Sequence, residues 1–188
     1  MLVCKDHQFI FVRNPKTASR SISEMLKKRF VVEDLEYHDW RITPEYSEFY
    51  TFMCVRNPFH RTVSAWNYVR HDRLKRGDPD TSFEDFVRFG ELRIRTGPNL
   101  NDNFFAQSEF LDKVLSRVKE VHLIKHERLV EDLVSLPFLD GYADLPKIGV
   151  GNVDWRCVYD LNTEALVEFA LRRDFDRFGY CHSCLTLL

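Results

Sequence analysis

Two stretches of this chain place a basic residue and hydroxyl side chains directly after an apolar run, and each has the makings of an anion site. The first is Asn14-Pro15-Lys16-Thr17-Ala18-Ser19-Arg20-Ser21, one lysine and three hydroxyls leading into a helical pattern. Backbone N–H groups at a helix N-terminus point outward unpaired, and the helix dipole favours negative charge there. Small side chains at Ala18 and Ser19 let a phosphate approach, and Lys16 adds a mobile point charge. The loop lacks the glycines of G-x-x-x-x-G-K-[ST], so ATP is not its natural ligand. The second stretch runs from Arg56 to Ser64, which stands about two turns into the following helix. A guanidinium fork and a hydroxyl converging there suit a second phosphate. Taken singly, each stretch also has a plain structural reading: a capped helix with a solvated lysine, and a strand-end arginine in a surface ion pair.

The elements around these stretches repeat one order. Residues 8–12 (QFIFV) are a short apolar run of β-formers stopped by Asn14 and Pro15, and read as a buried strand. Ile22, Met25, Leu26 and Phe30 then recur at helical spacing, with Ser21 and Glu24 as a capping box if the helix starts late. Residues 51–55 (TFMCV) form a second buried run, after which Asn57 and Pro58 suit the N-cap and first helical position. Residues 73–80 read as an exposed loop. A short helix opens at 81–84 and ends near Gly90, and a longer one spans 105–118. Residues 121–124 (VHLI) form a third strand, followed by a helix over 127–134 and a last long helix over 163–178. This alternation predicts an α/β fold: a mainly parallel central sheet flanked by helices in a single domain over 1–188, with ligands at the carboxyl ends of the strands.

Composition narrows the classes. A chain of 188 residues with 44% hydrophobic and 30% charged residues has enough apolar mass for one folded core. Its net charge of −2 and the lack of a basic stripe argue against nucleic acid as a partner. No apolar run is long enough for a membrane anchor, and the N-terminus has charges where a signal peptide needs its apolar core, which suggests a cytoplasmic protein. The five cysteines are odd in number, and Cys4 and Cys54 lie inside apolar runs, so buried thiols rather than a disulfide framework are expected. Cys181 and Cys184 form a C-x-x-C without a second ligand pair at metal-site spacing.

Together the two anion stretches resemble the nucleotide-binding motifs of sulfotransferases that use 3′-phosphoadenosine 5′-phosphosulfate (PAPS), especially the carbohydrate branch that includes heparan and uronyl 2-O-sulfotransferases. Residues 15–21 match a P-K-T-x-[ST]-x-[ST] loop that holds the 5′-phosphosulfate, and residues 56–64 match R-[DN]-P-x-x-R-x-x-S, whose Arg56 and Ser64 would read the 3′-phosphate. Asp174-Phe175-Asp176-Arg177-Phe178-Gly179-Tyr180 is similar to the family's D-F-x-x-[FL]-G-Y ending. The resemblance implies a P-loop nucleotide-kinase-like fold, PAPS as co-substrate, no metal requirement and a hydroxyl acceptor, a glycan in that branch. The implied donor contacts are Pro15, Lys16, Thr17, Ala18, Ser19, Arg20, Ser21, Arg56 and Ser64, with Asn152 and Arg156 in a late loop that closes over the nucleotide.

Sulfuryl transfer resembles phosphoryl transfer, so positioning and charge stabilisation should carry most of the catalysis. Lys16 is the expected catalytic cation. A general base helps the acceptor hydroxyl, and His38 in Glu36-Tyr37-His38-Asp39-Trp40 is similar to the Y-H-x-H base segment of uronyl 2-O-sulfotransferases. Trp40 replaces the second histidine of that pattern, leaving His38 as base or as a substrate contact, with Glu36 and Glu33 as alternative bases. His60, His122 and His126 read as structural or exposed. Gln107 and Ser108 are similar to a P-Q-S segment near the acceptor, which makes Gln107 an expected acceptor contact. Two other readings stay open: a P-loop kinase, disfavoured by the missing glycines, and a non-catalytic PAPS- or glycan-binding module that kept the nucleotide motifs.

Overall fold

The computed structural model describes residues 1–35, 41–94, 106–141, 143–146, 148 and 154–185. In chain order these form β1 (Leu2–Cys4), β2 (Phe9–Val12), α1 (Ser19–Arg29), β3 (Glu33–Asp34), β4 (Tyr50–Val55), α2 (Pro58–Lys75), α3 (Phe83–Ile94), α4 (Gln107–Leu115), β5 (His122–Lys125), α5 (Leu129–Val134), α6 (Leu161–Ala170) and α7 (Arg172–Phe178). Two compact units result: residues 1–56 with 107–150, and residues 57–106 with 151–188. Among the described residues no helix is long and apolar enough to cross a membrane.

The first unit carries the sheet, in the order β3-β1-β2-β4-β5. β2, β4 and β5 run parallel, with Phe11 beside Phe52 and Met53 beside Leu123. β1 pairs antiparallel with both β2 and β3. The sheet is therefore mixed rather than mainly parallel. A strand returning through a four-residue turn must run antiparallel, and the short apolar run at Leu2–Cys4 gives too little periodicity to announce itself. β3 is exposed and acidic; it is held by ion pairs from Glu33 to Lys5 at 2.6 Å and from Asp34 to Lys27 at 2.7 Å. Along β1, β2 and β4 successive residues are buried in both directions, as in strands covered on both faces. One face carries Leu2, Phe9, Phe11, Phe52 and Ile124 against Ile22, Met25 and Leu26 of α1 and Leu133 of α5. Phe138 stacks on Phe9 at 4.1 Å between ring centroids.

The second unit is helical. Asn57 caps α2, its side-chain oxygen accepting the N–H groups of Phe59 and His60, and Pro58 occupies the first turn as the sequence predicts. α2 runs on to Lys75 and α3 continues through Gly90 to Ile94, both longer than their sequence patterns indicate. Phe59 packs edge-on to Tyr159 at 5.1 Å and against Phe175 at 4.7 Å. The single helix expected over 163–178 is two, broken at Leu171, whose carbonyl accepts the N–H of Asp174 at 2.8 Å. The break turns Asp174, Phe175 and Phe178 inward. An Asp160–Thr163 capping box starts α6, and Gly179 ends α7 in the left-handed conformation at φ 65°, where a side chain would be strained.

Candidate active site

In the first unit β2 ends in a buried corner. Arg13 is almost fully enclosed, and its guanidinium donates to Asp34 at 2.5 Å, to the Met1 carbonyl at 3.1 Å and to the Leu35 carbonyl, so it fastens β1 and β3 beside the loop. Burial would raise the Asp34 carboxyl, but hydrogen bonds from Lys27 and Arg13 outweigh it and hold the group below its ordinary value.

The next residues form the loop that the sequence marks as an anion site. Asn14 donates to the Cys54 carbonyl of β4 at 2.9 Å, and the Thr17 hydroxyl donates back to the Asn14 carbonyl at 2.9 Å. Lys16 and Ala18 both stand at φ 64°, the left-handed region that glycine favours. Holding a side-chain-bearing residue there costs on the order of 1 kcal/mol each, so the loop reaches a glycine-like path without glycine because its neighbours hold it. Ala18 leads into α1 one turn earlier than a Ser21–Glu24 capping box would allow, and that box does not form. No side chain caps the helix at Ala18 and no acidic residue stands in its first turn. The start of α1 therefore keeps the electropositive character that suits an anion. Lys16 is half-buried at this corner, Thr17 and Ser19 are buried, Pro15 is buried, and Arg20 is exposed. Ser21 is buried, and its hydroxyl accepts the N–H of Ile148 at 3.4 Å.

Arg56 follows β4 directly. Its guanidinium donates to the Lys16 carbonyl at 3.1 Å, which joins the two strand-end segments within this unit. Gln107, first residue of α4, is fully buried and spends its amide on Asn14 at 3.1 Å and on the Arg56 N–H at 3.0 Å and carbonyl at 2.8 Å. His126 lies one residue past β5 as Arg56 lies one past β4, because Val55 and Lys125 are in register. Burial, helped by the Arg56 charge, holds the His126 pKa down to about 4, so the ring is neutral at pH 7. The sequence reads His126 as structural or exposed; the shared ending of parallel strands is the signal that places it beside Arg56. Glu33, an alternative base, pairs with Lys5 in the β1–β2 turn, at the end of β2 away from the loop.

The second unit holds the rest of the arginine motif. Ser64 is half-buried on α2, one turn after the half-buried His60. Arg61 points the other way: it is 2% exposed, and burial pulls its pKa down to about 10 against the opposing charge of the fully buried Asp174. The motif's second arginine and the aspartate of the C-terminal D-F segment are thus both enclosed in the core, where the aspartate's charge acts on the guanidinium. His60 stacks on Trp155 with centroids 5.4 Å apart, and the Arg156 guanidinium lies 4.5 Å from the same indole. His182 sits between Glu168 at 2.8 Å and Asp176 at 3.0 Å, and among the described residues Cys4, Cys54, Cys157, Cys181 and Cys184 are free thiols, the first two buried as expected. His38, Glu36, Trp40 and Asn152 lie outside the described residues.

No curated protein matches the chain. The model of the sulfotransferase family matches residues 1–154, which take in the phosphate-type loop, the Arg56 segment and Gln107. With most of its length matched and an electropositive helix start where the donor loop should be, the chain belongs to the sulfotransferase family and is a PAPS-dependent enzyme of sulfuryl transfer.

Proposed function

We propose that the enzyme sulfates a hydroxyl group of a carbohydrate, with Lys16 and the residues 15–21 loop on the 5′-phosphosulfate, Arg56 and Ser64 on the 3′-phosphate, and His38 as general base. The observation that carries the donor assignment is the start of α1: a left-handed path at Lys16 and Ala18 into a helix with neither a capping side chain nor a first-turn carboxylate. PAPS supplies an activated sulfuryl group on a phosphate leaving group. The acceptor oxygen forms a bond to sulfur as the sulfur–oxygen bond to the 5′-phosphate breaks, and the acceptor proton passes to the His38 ring. Lys16 neutralises the charge that grows on the departing phosphate oxygen, while the N–H groups of Thr17 to Arg20 hold its neighbours as fixed dipoles. Asn152 and Arg156 complete the nucleotide contacts in this reading. The carbohydrate assignment rests on the likeness of the His38 segment and both donor motifs to the uronyl 2-O branch.

Transfer of labelled sulfate from PAPS to desulfated polysaccharides, with simple alcohols and phenols alongside, tests this. We expect labelled polysaccharide, and Lys16→Met should slow transfer about 10²- to 10³-fold. Label on the phenols alone would overturn the carbohydrate acceptor. Transfer undiminished in His38→Ala would remove that residue as base.

A further inference from the structure

Gln107 stands where three chain segments meet. Its Oε1 accepts both the Arg56 N–H at 3.0 Å and the Asn14 side-chain amide at 3.1 Å, while its Nε2 donates to the Arg56 carbonyl at 2.8 Å. One planar amide thereby holds both backbone polar groups of Arg56, much as the next strand of a ladder would, and reaches the residue that opens the loop. Asn14 passes the grip on to the Cys54 carbonyl at 2.9 Å, and Arg56 closes the ring by donating to the Lys16 carbonyl at 3.1 Å. Lys16 is one of the two loop residues held at positive φ, so that last bond falls where the backbone most needs a restraint. Only an amide satisfies this pattern: a carboxylate has no donor for the Arg56 carbonyl, and an apolar side chain offers neither donor nor acceptor. The side chain is wholly enclosed, so water does not replace it.

We propose that Gln107 is a positioning residue that sets the distance between the cation of the 5′ loop and the guanidinium of Arg56. This rests on the assignment of Lys16 and Arg56 to the two phosphates of the donor. A fixed separation between those two groups is a ruler for a nucleotide phosphorylated at both ends, and a slack one would accept 5′-phosphate and 3′,5′-bisphosphate more nearly alike.

The test measures calorimetric affinity for 3′-phosphoadenosine 5′-phosphate and for adenosine 5′-phosphate in wild type, Gln107→Met, Gln107→Glu, Arg56→Ala and the double variant Gln107→Met with Arg56→Ala. We expect Gln107→Met to reduce the preference for the bisphosphate by about 10-fold or more, Gln107→Glu to fall between it and wild type, and the double variant to match Arg56→Ala within about twofold. Equal losses for both nucleotides, with the preference intact, would overturn the proposal, since a merely structural glutamine would weaken both alike. Hydrogen exchange without nucleotide separates this inference from the donor assignment. Gln107→Met should speed exchange at the Arg56 amide and across residues 14–18 whether or not wild type prefers the bisphosphate. Unchanged exchange there would sink the clamp while leaving the donor assignment standing, and a wild type with no preference would do the reverse.

Discussion

The two units treat their motif residues in opposite ways. In the first, Asn14 and Arg56 are tied to backbone carbonyls of neighbouring segments and Thr17 to the Asn14 carbonyl within the loop, so polar bonds shape the loop. In the second, the residues of α2 divide by helical face: Arg61 goes into the core beside Asp174 and Phe59 into an aromatic cluster, while His60 and Ser64 stay half-exposed. The stretch from Arg56 to Ser64 therefore combines the two residues expected at the donor, Arg56 and Ser64, with Phe59 and Arg61 of the core. The first unit should lose site geometry before it loses stability, and the second the reverse.

The largest effect should come from the buried pair. Asp174→Ala leaves Arg61 charged and enclosed, and we expect a loss of about 3–5 kcal/mol in chemical denaturation. Replacing both partners, Arg61→Met with Asp174→Leu, should recover most of it. If Asp174→Ala melts like wild type, the pair is not the anchor that separates the two faces of α2.

A smaller effect belongs to the first unit and depends on pH. The folded His126 pKa of about 4 lies below the ordinary 6.5, so the unfolded chain takes up the proton first. Its contribution is complete above about pH 6.5 and is lost as pH falls through about 4, by at most roughly 3 kcal/mol. His126→Gln should flatten the stability profile in that window. A profile just as steep in the variant would assign the acid sensitivity to other groups.

Much of this was legible in the residues. Apolar runs located β2, β4 and β5 within a residue or so, and Asn57-Pro58 marked the start of α2. What escaped was set by partners distant in sequence. β1 is too short to show a period, and β3, Glu33–Asp34, is a strand only because Arg13, Lys5 and Lys27 hold it against β1. The break at Leu171 accompanies the burial of Asp174, whose charge acts on Arg61 at a separation of 113 positions that no local pattern encodes. Composition marks the Lys16 loop as a candidate anion site but does not announce its left-handed path, because alanine and lysine rarely adopt it. Gln107 was singled out for its motif, but its bonds to Asn14 and to the backbone of Arg56 join segments far apart in sequence and were not legible there.

Calorimetry of 3′-phosphoadenosine 5′-phosphate against adenosine 5′-phosphate, with wild type beside Arg56→Ala, tests the donor assignment most directly. We expect micromolar binding that needs the 3′-phosphate and weakens about 10- to 100-fold in Arg56→Ala, the range for one charge-assisted contact. Equal affinity for the two nucleotides, unaffected by Arg56→Ala, would contradict the assignment of the Arg56 segment to the 3′-phosphate.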